Sequence, residues 1–474
     1  MPTASLRLTS APATGELATA LAAIPVDLGI VRDFAPEVIA EAQEAIRTIE
    51  LPDADHTDLA FVTIDPAGSK DLDQALYLER DGTGYRAWYA IADVPAVVRP
   101  GGALDAESRQ RGQTVYAPDG RIPLYPTILS EGAASLLPDQ LRGAYVWDSH
   151  LDADARVSSV SVARARVRSR EQLDYDGAQK SIDDGSASEN LALLKEIGLK
   201  RILLEQERGG ASLQTPETEI EEAHGGYELV RRQPLPVENW NAQLSLMTGM
   251  AAADLMLKGN VGILRTMPPP DDQAVDKFRM QAKVLGHPWP KDIEYGEYLR
   301  GLDTTDPFQL AIMHAAGSLF RGAGYTAFDG APPAHTKQAA VAAPYTHTTA
   351  PLRRLVDRFV LVVCAALSAG APVPAWARDA LPELPPVMAR SSQLAGQVDR
   401  KAIDTVEAAV LSTRIGEVFE GTVLSAGEGQ GVIQLSDPAV TASCDGRLEV
   451  GTTIRARLTV ASIRTATVRF VALP

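Results

Sequence analysis

Between residues 61 and 78 the chain reads FVTIDPAGSKDLDQALYL, and this stretch restricts the fold more than any other. Residues 61–64 are an apolar, β-branched run, read as a buried strand that delivers Asp65 to its end. Pro66 and Gly68 then break the chain into a loop, and a second strand follows from Ala75. Side chains alternate along a strand, so Asp71 and Asp73 are expected to point the same way, with the reversal at Pro66 bringing Asp65 beside them. Like charges that close repel. A divalent cation removes the penalty, and hard oxygen ligands suit Mg²⁺ or Mn²⁺ rather than zinc. The plain alternative is a solvated acidic turn. An EF-hand fits poorly, because a loop counted from Asp71 places Leu76 where glycine is needed and Gly82 where glutamate is needed.

TIDPAGSKDLDQA resembles the TID-x6-D-x-DDA signature of the RNB exoribonucleases, the ribonuclease II and ribonuclease R family. AIADVPAVVRPGGALDAESRQRGQTVYAPDGRIPLYP (90–126) and SLLPDQLRGAYVWD (135–148) are similar to the segments that follow in that family. YTHTTAPLRRLVD (345–357) resembles its YTH-x-TSPIRRY-x-D, and together these motifs, in order, cover most of residues 55–410. The resemblance implies a Mg²⁺-dependent, hydrolytic 3′-to-5′ exoribonuclease that degrades single-stranded RNA to nucleoside 5′-monophosphates, with Mn²⁺ as a substitute ion. A non-catalytic RNA-binding relative and a general metal-dependent phosphohydrolase are the alternatives.

Site residues carry over by position. Asp65, Asp71 and Asp73 match three of the four motif aspartates that hold the metal and the attacking water, with Asp73 the most sensitive. Gln74 stands at the fourth, where an amide oxygen can meet a metal but adds no charge. Arg353 matches the arginine on the scissile phosphate, with Arg354 beside it as a further contact. Without the resemblance, LRRLVDR reads as a helix face with one of the two arginines paired to Asp357. Tyr116 matches the aromatic that stacks on the terminal base; the other reading is a buried tyrosine with a satisfied hydroxyl. The partner phenylalanine falls on Leu213 or on a one-residue gap. Asp399 lies where a family glutamate acts at the leaving side, and His347 either touches RNA or holds structure.

The 474 residues suggest roughly three domains. Residues 1–50 form a small helical region, either a helix-turn-helix or a packing element, too short for tandem cold-shock barrels. Residues 51–411 alternate strands with helical spacing at 188–206, 238–258, 272–285, 307–321 and 389–411, while the Pro-rich 371–386 reads as loop. Residues 85–94 pair with 75–78 across Asp81-Gly82. From 412 to 474, five short strand candidates between Gly, Pro and Asp turns indicate a barrel resembling the S1-type OB fold, with Phe419 and Phe470 as its aromatics. The expected class is therefore α+β: a large RNB catalytic domain, a mixed sheet with surrounding helices, then an all-β S1-type barrel, preceded by a small helical piece.

A net charge of −16 argues against a protein that coats nucleic acid, so RNA contact must be local. VARARVRSR (162–170) puts four arginines at period two, either to track phosphates or to guard a strand edge. Two cysteines are too few for a disulfide framework. The longest uncharged stretch, 359–377, holds Gly370, Pro372 and Pro374 and reads as a buried helix running into a loop, so no membrane role is expected. Glu16 and Asp27 interrupt any leader-like pattern, which points to the cytoplasm. A monomer is the default expectation.

Overall fold

The computed structural model describes residues 6–8, 15–117, 120–211, 217–223, 226–320, 322–435, 437–438 and 440–474. Helices α1 (Glu16–Asp27) and α2 (Pro36–Thr48) open the chain. Strands β1 (Phe61–Asp65), β2 (Gln74–Asp81) and β3 (Gly84–Ala92) follow as a meander. After helix α3 (Ala103–Arg111) comes a short hairpin, β4 (Val115–Ala117) with β5 (Gly120–Ile122). The chain then returns as β6 (Leu141–Leu151) and the 18-residue β7 (Val157–Asp174). The end of β7 runs parallel to β1, placing Asp174 opposite Asp65 and closing the mixed sheet into a five-stranded barrel. Closure leaves no open edge, and Phe61, Leu76, Tyr85 and Trp147 fill the core.

Helices α4 (Glu189–Glu207), α5 (Pro236–Gly259) and α6 (Leu355–Ser368) cover the barrel. Their ends follow local chemistry. Ser188 Oγ accepts from the Leu191 amide at the start of α4, and Asn260 in the left-handed region (φ 54°) stops α5. The expectation of a loop over 371–386 needs correction, because a short helix occupies Ala375–Ala380 and α7 (Leu384–Leu411) begins at Leu384. Pro385 and Pro386 sit in its first turn, where no intrahelical N–H is lost.

The amino-terminal helices are packing elements. Leu17, Leu21 and Ile24 of α1 share a core with Val398, Ala402 and Val406 of α7 and with Ile463. From α2, Val38, Ala42 and Ala45 join the main core, and the Glu41 carboxylate accepts from the Ala103 amide (2.5 Å) at the start of α3. The arginine row of β7 is likewise structural in large part. Arg164 binds Asp93 (2.6 Å), Arg166 binds Asp55 (3.0 Å), and Arg170 donates to the Thr57 carbonyl (2.5 Å). Three guanidiniums thus staple residues 53–57 and the Asp93 turn to the barrel.

A second closed barrel ends the chain: β8 (Val418–Ala426), β9 (Gln430–Leu435), β10 (Thr441–Asp445), β11 (Thr453–Ser462) and β12 (Thr467–Ala472). Among the described residues no helix is long and apolar enough to cross a membrane.

Candidate active site

The acidic turn lies at the rim of the first barrel, and its path is fixed by side chains outside the turn itself. Gly68, at φ +77° with open space around it, makes the reversal after Pro66. Ser135 Oγ donates to the Lys70 carbonyl (2.6 Å) and accepts from the Leu72 amide (2.9 Å), while Gln172 Nε2 donates to the Ser69 carbonyl (2.7 Å). Residues 69–73 are irregular and β2 starts only at Gln74, so strand alternation does not orient Asp71 and Asp73 as expected. The two diverge. Asp71 accepts from Arg121 Nη1, whose Nη2 also meets Glu131 (2.8 Å). Asp73 turns inward, 1% exposed, and Oδ1 accepts from the Leu352 amide at 2.7 Å.

Arg353 sits at the centre. Its Nε lies 3.4 Å from Asp73 Oδ2, and its charge also acts on Asp65 and Tyr116. The loop that presents it is pinned at both sides. The Thr114 amide donates to the Arg353 carbonyl (2.9 Å), tying the loop to the strand that carries Tyr116. Arg354 holds Asp357 by two bonds (3.0 and 2.8 Å), and the Asp357 carboxylate also accepts from the Ala350 amide (2.7 Å). Arg354 therefore shapes the loop through its bidentate hold on Asp357.

Burial raises Asp73 to about 8, against the pull of Arg353 and the Leu352 amide, with Asp71 adding repulsion. Burial likewise raises Asp65 to about 6, opposed by Arg353 and helped by Asp71. Asp65 Oδ2 and Asp73 Oδ2 are both inaccessible and have no hydrogen-bond partner. Two dehydrated carboxylate oxygens left in this state fit a cation, since buried acceptors are otherwise satisfied. Among the described residues, however, no three His, Cys, Asp or Glu side chains converge on a point suited to an ion. Asp65 and Asp73 thus carry the oxygens without a hydrogen bond, while Asp71, close enough for its charge to act on both, is paired with Arg121. Gln74 Oε1 accepts from Tyr89 Oη and from Ser245 Oγ (2.9 Å), so its amide is engaged by neutral hydroxyls.

Tyr116 on β4 is 51% exposed, and the Arg353 charge acts on its hydroxyl, so the residue forms an open wall of the site. This differs from the buried alternative. His347 does not face solvent as a cation: Nδ1 lies 2.5 Å from Tyr325 Oη, the ring meets Tyr345 edge-on, and burial pushes its pKa well below the usual value. Asp399 on α7 is raised to about 6 by burial, opposed only by Arg400, and the acidic turn does not act on it. Leu213 lies outside the described residues. Arg121 was missed by motif reasoning; pairing the Tyr116 strand into a hairpin would have found it, because Tyr116 and Arg121 are cross-strand partners.

An α+β domain built on a closed barrel with a buried acidic rim, continued by a small barrel of S1 type, defines the class. The chain belongs to the RNB family: the RNB domain model matches residues 54–368, and that of the RNase II-type exonuclease C-terminal S1 domain matches 417–473. It is 30% identical to ribonuclease R of Escherichia coli over 323 residues, which is 64% of this chain and 39% of that protein. The chain thus spans well under half the length of such curated relatives. Apo RNase R of Mycoplasma genitalium superposes with a TM-score of 0.83 at 20% identity, over 97% of this chain and 78% of that one. The same enzyme matches in complex with ribose-methylated single-stranded RNA. Yeast Ssd1, a pseudonuclease, shares the fold at a TM-score of 0.69 and 16% identity, over 90% of this chain and 55% of that one.

Proposed function

We propose that this chain is a Mg²⁺-dependent 3′-to-5′ exoribonuclease that hydrolyses single-stranded RNA to nucleoside 5′-monophosphates. The observation that carries this reading is the pair of buried carboxylates Asp65 and Asp73, each with an oxygen that accepts no hydrogen bond, beside Arg353, which pairs with Asp73 at 3.4 Å, and near the exposed Tyr116. Mg²⁺ keeps most of its waters and is commonly held by one or two carboxylates plus substrate phosphate, so a pair is a sufficient anchor. The ion when bound would screen the phosphodiester and acidify a water at neutral pH. Asp65 and Asp73 would hold it. Arg353 supplies the planar donor for the non-bridging phosphate oxygens, where charge grows in the transition state. Tyr116 stacks on the terminal base and so fixes which phosphate lies over Arg353. Membership of the RNB family supports this polarity and product, and relatives such as ribonuclease R support RNA as substrate.

A second reading, an RNA-binding protein without hydrolysis, is favoured by one observation: Gln74 replaces a carboxylate and is occupied by Tyr89 and Ser245. Incubation with 5′-labelled single-stranded RNA, with and without EDTA, decides between the two. Metal-dependent shortening to a small limit product supports the nuclease. Retention of intact RNA in a stable complex under both conditions supports the binder.

A further inference from the structure

We infer that the cavity between the start of β7 and the ends of α4 and α5 binds the phosphate of a mononucleotide. Its volume is about 770 Å³, within the usual range for a small-ligand site. Arg156, Arg201, Arg208 and Lys258 line it against two carboxylates, Glu207 and Asp254. Glu207 is already paired with Arg156 at the rim (2.8 Å).

Two of these cations are poorly satisfied. Arg201 is 5% exposed; Nη1 donates to the Ala155 carbonyl (3.1 Å), and Nε has no partner. Arg208 donates Nε to the Val341 carbonyl (2.8 Å), while its buried Nη2 has none. Both therefore meet neutral carbonyls where carboxylates are the usual partners of buried guanidinium groups. Glu205 acts on both through space, but its own oxygen accepts from Gln243 (2.5 Å). Burial, then Arg208 and Arg156, pushes the Arg201 pKa down to about 10, against the pull of Glu205. A phosphate provides negative charge and acceptors in fork geometry.

The rest of the cavity is apolar. Leu204, Met247, Ala251 and Leu255 form a floor suited to a flat base, with the thioether able to adapt its shape. The cavity lies against Val157–Val160 at the start of β7, whereas the acidic rim lies at the end of that strand, where Asp174 faces Asp65.

Titration of 5′-AMP and of inorganic phosphate into the full chain in EDTA tests the assignment. One saturable AMP site is expected, with phosphate competing more weakly. It should persist in Asp73→Asn, and weaken at least about tenfold in Arg208→Gln and in Lys258→Glu. Circular dichroism melts confirm that each variant is folded. Undiminished AMP affinity in both cavity variants, loss of binding in Asp73→Asn, or failure of phosphate to compete would overturn it. A chain that proves inactive on RNA would still show this binding, so the two readings fail separately.

Discussion

The two barrels of this chain share a strand count and one parallel closing pair each, yet they treat charge in opposite ways. In the first, Asp65 and Asp73 end up dehydrated because the irregular run 69–73 and the Arg353 loop fold over the rim. In the second, the interior is apolar, and Phe419 and Phe470 meet edge to face in its core (5.6 Å). Arg455, Arg457, Arg464 and Arg469 all lie on its exposed faces. Neither phenylalanine is available to stack on a base, so any RNA contact there rests on arginine and phosphate. The lesson is that what covers a small barrel's rim decides whether carboxylates are left dehydrated there.

That contrast can be broken experimentally. The largest effect is expected from Asp73→Asn, which removes the buried carboxylate beside Arg353; hydrolysis should fall by at least about 10³-fold in single-turnover assays. Retained activity would remove Asp73 from the site. Phe470→Ala should instead cost about 3–5 kcal/mol of stability in denaturant melts and leave turnover of the folded protein close to normal. Equal losses of turnover in both variants would dissolve the distinction between the barrels. A smaller effect is expected from Tyr116→Ala, about 1–3 kcal/mol per stacked base, seen mainly as a raised KM on short RNA. An unchanged KM would show that the ring does not touch substrate.

The smallest effect concerns pH. Asp65 and Asp73 have folded pKa values near 6 and 8, above their unfolded values. In the metal-free protein the folded state therefore binds more protons than the unfolded one over this range, so these two groups make stability fall as pH rises towards 8. Mg²⁺ should offset that loss. Melting temperatures in EDTA and in Mg²⁺ should diverge between pH 6 and 8 in the wild type and much less in Asp73→Asn; parallel curves would contradict the assigned carboxylates.

Much of this architecture was legible beforehand. The five strands of the second barrel follow from alternation and turn residues, and the hairpin at Asp81-Gly82 from its turn chemistry. Helices such as α4 and α5 fall within two residues of their apolar spacing. Closure of the first barrel was not legible, because the pairing of β1 with the end of β7 joins residues over a hundred positions apart and leaves no local trace. Within the site, residue type located Asp65, Asp73, Arg353 and Tyr116, but not what each one touches. Arg354, His347 and three of the β7 arginines look available in the sequence, and each is taken up by Asp357, Tyr325 or the 53–57 segment and Asp93. Competition for partners is a tertiary property, set by packing rather than by spacing.

The most direct test is calorimetric titration of Mn²⁺ into the wild type and into Asp65→Asn and Asp73→Asn at pH 6.5 and 8. Binding that tightens with pH, releases protons, and is lost in both variants is the predicted result. Affinity unaffected by either substitution would contradict the claim that these two carboxylates anchor the ion.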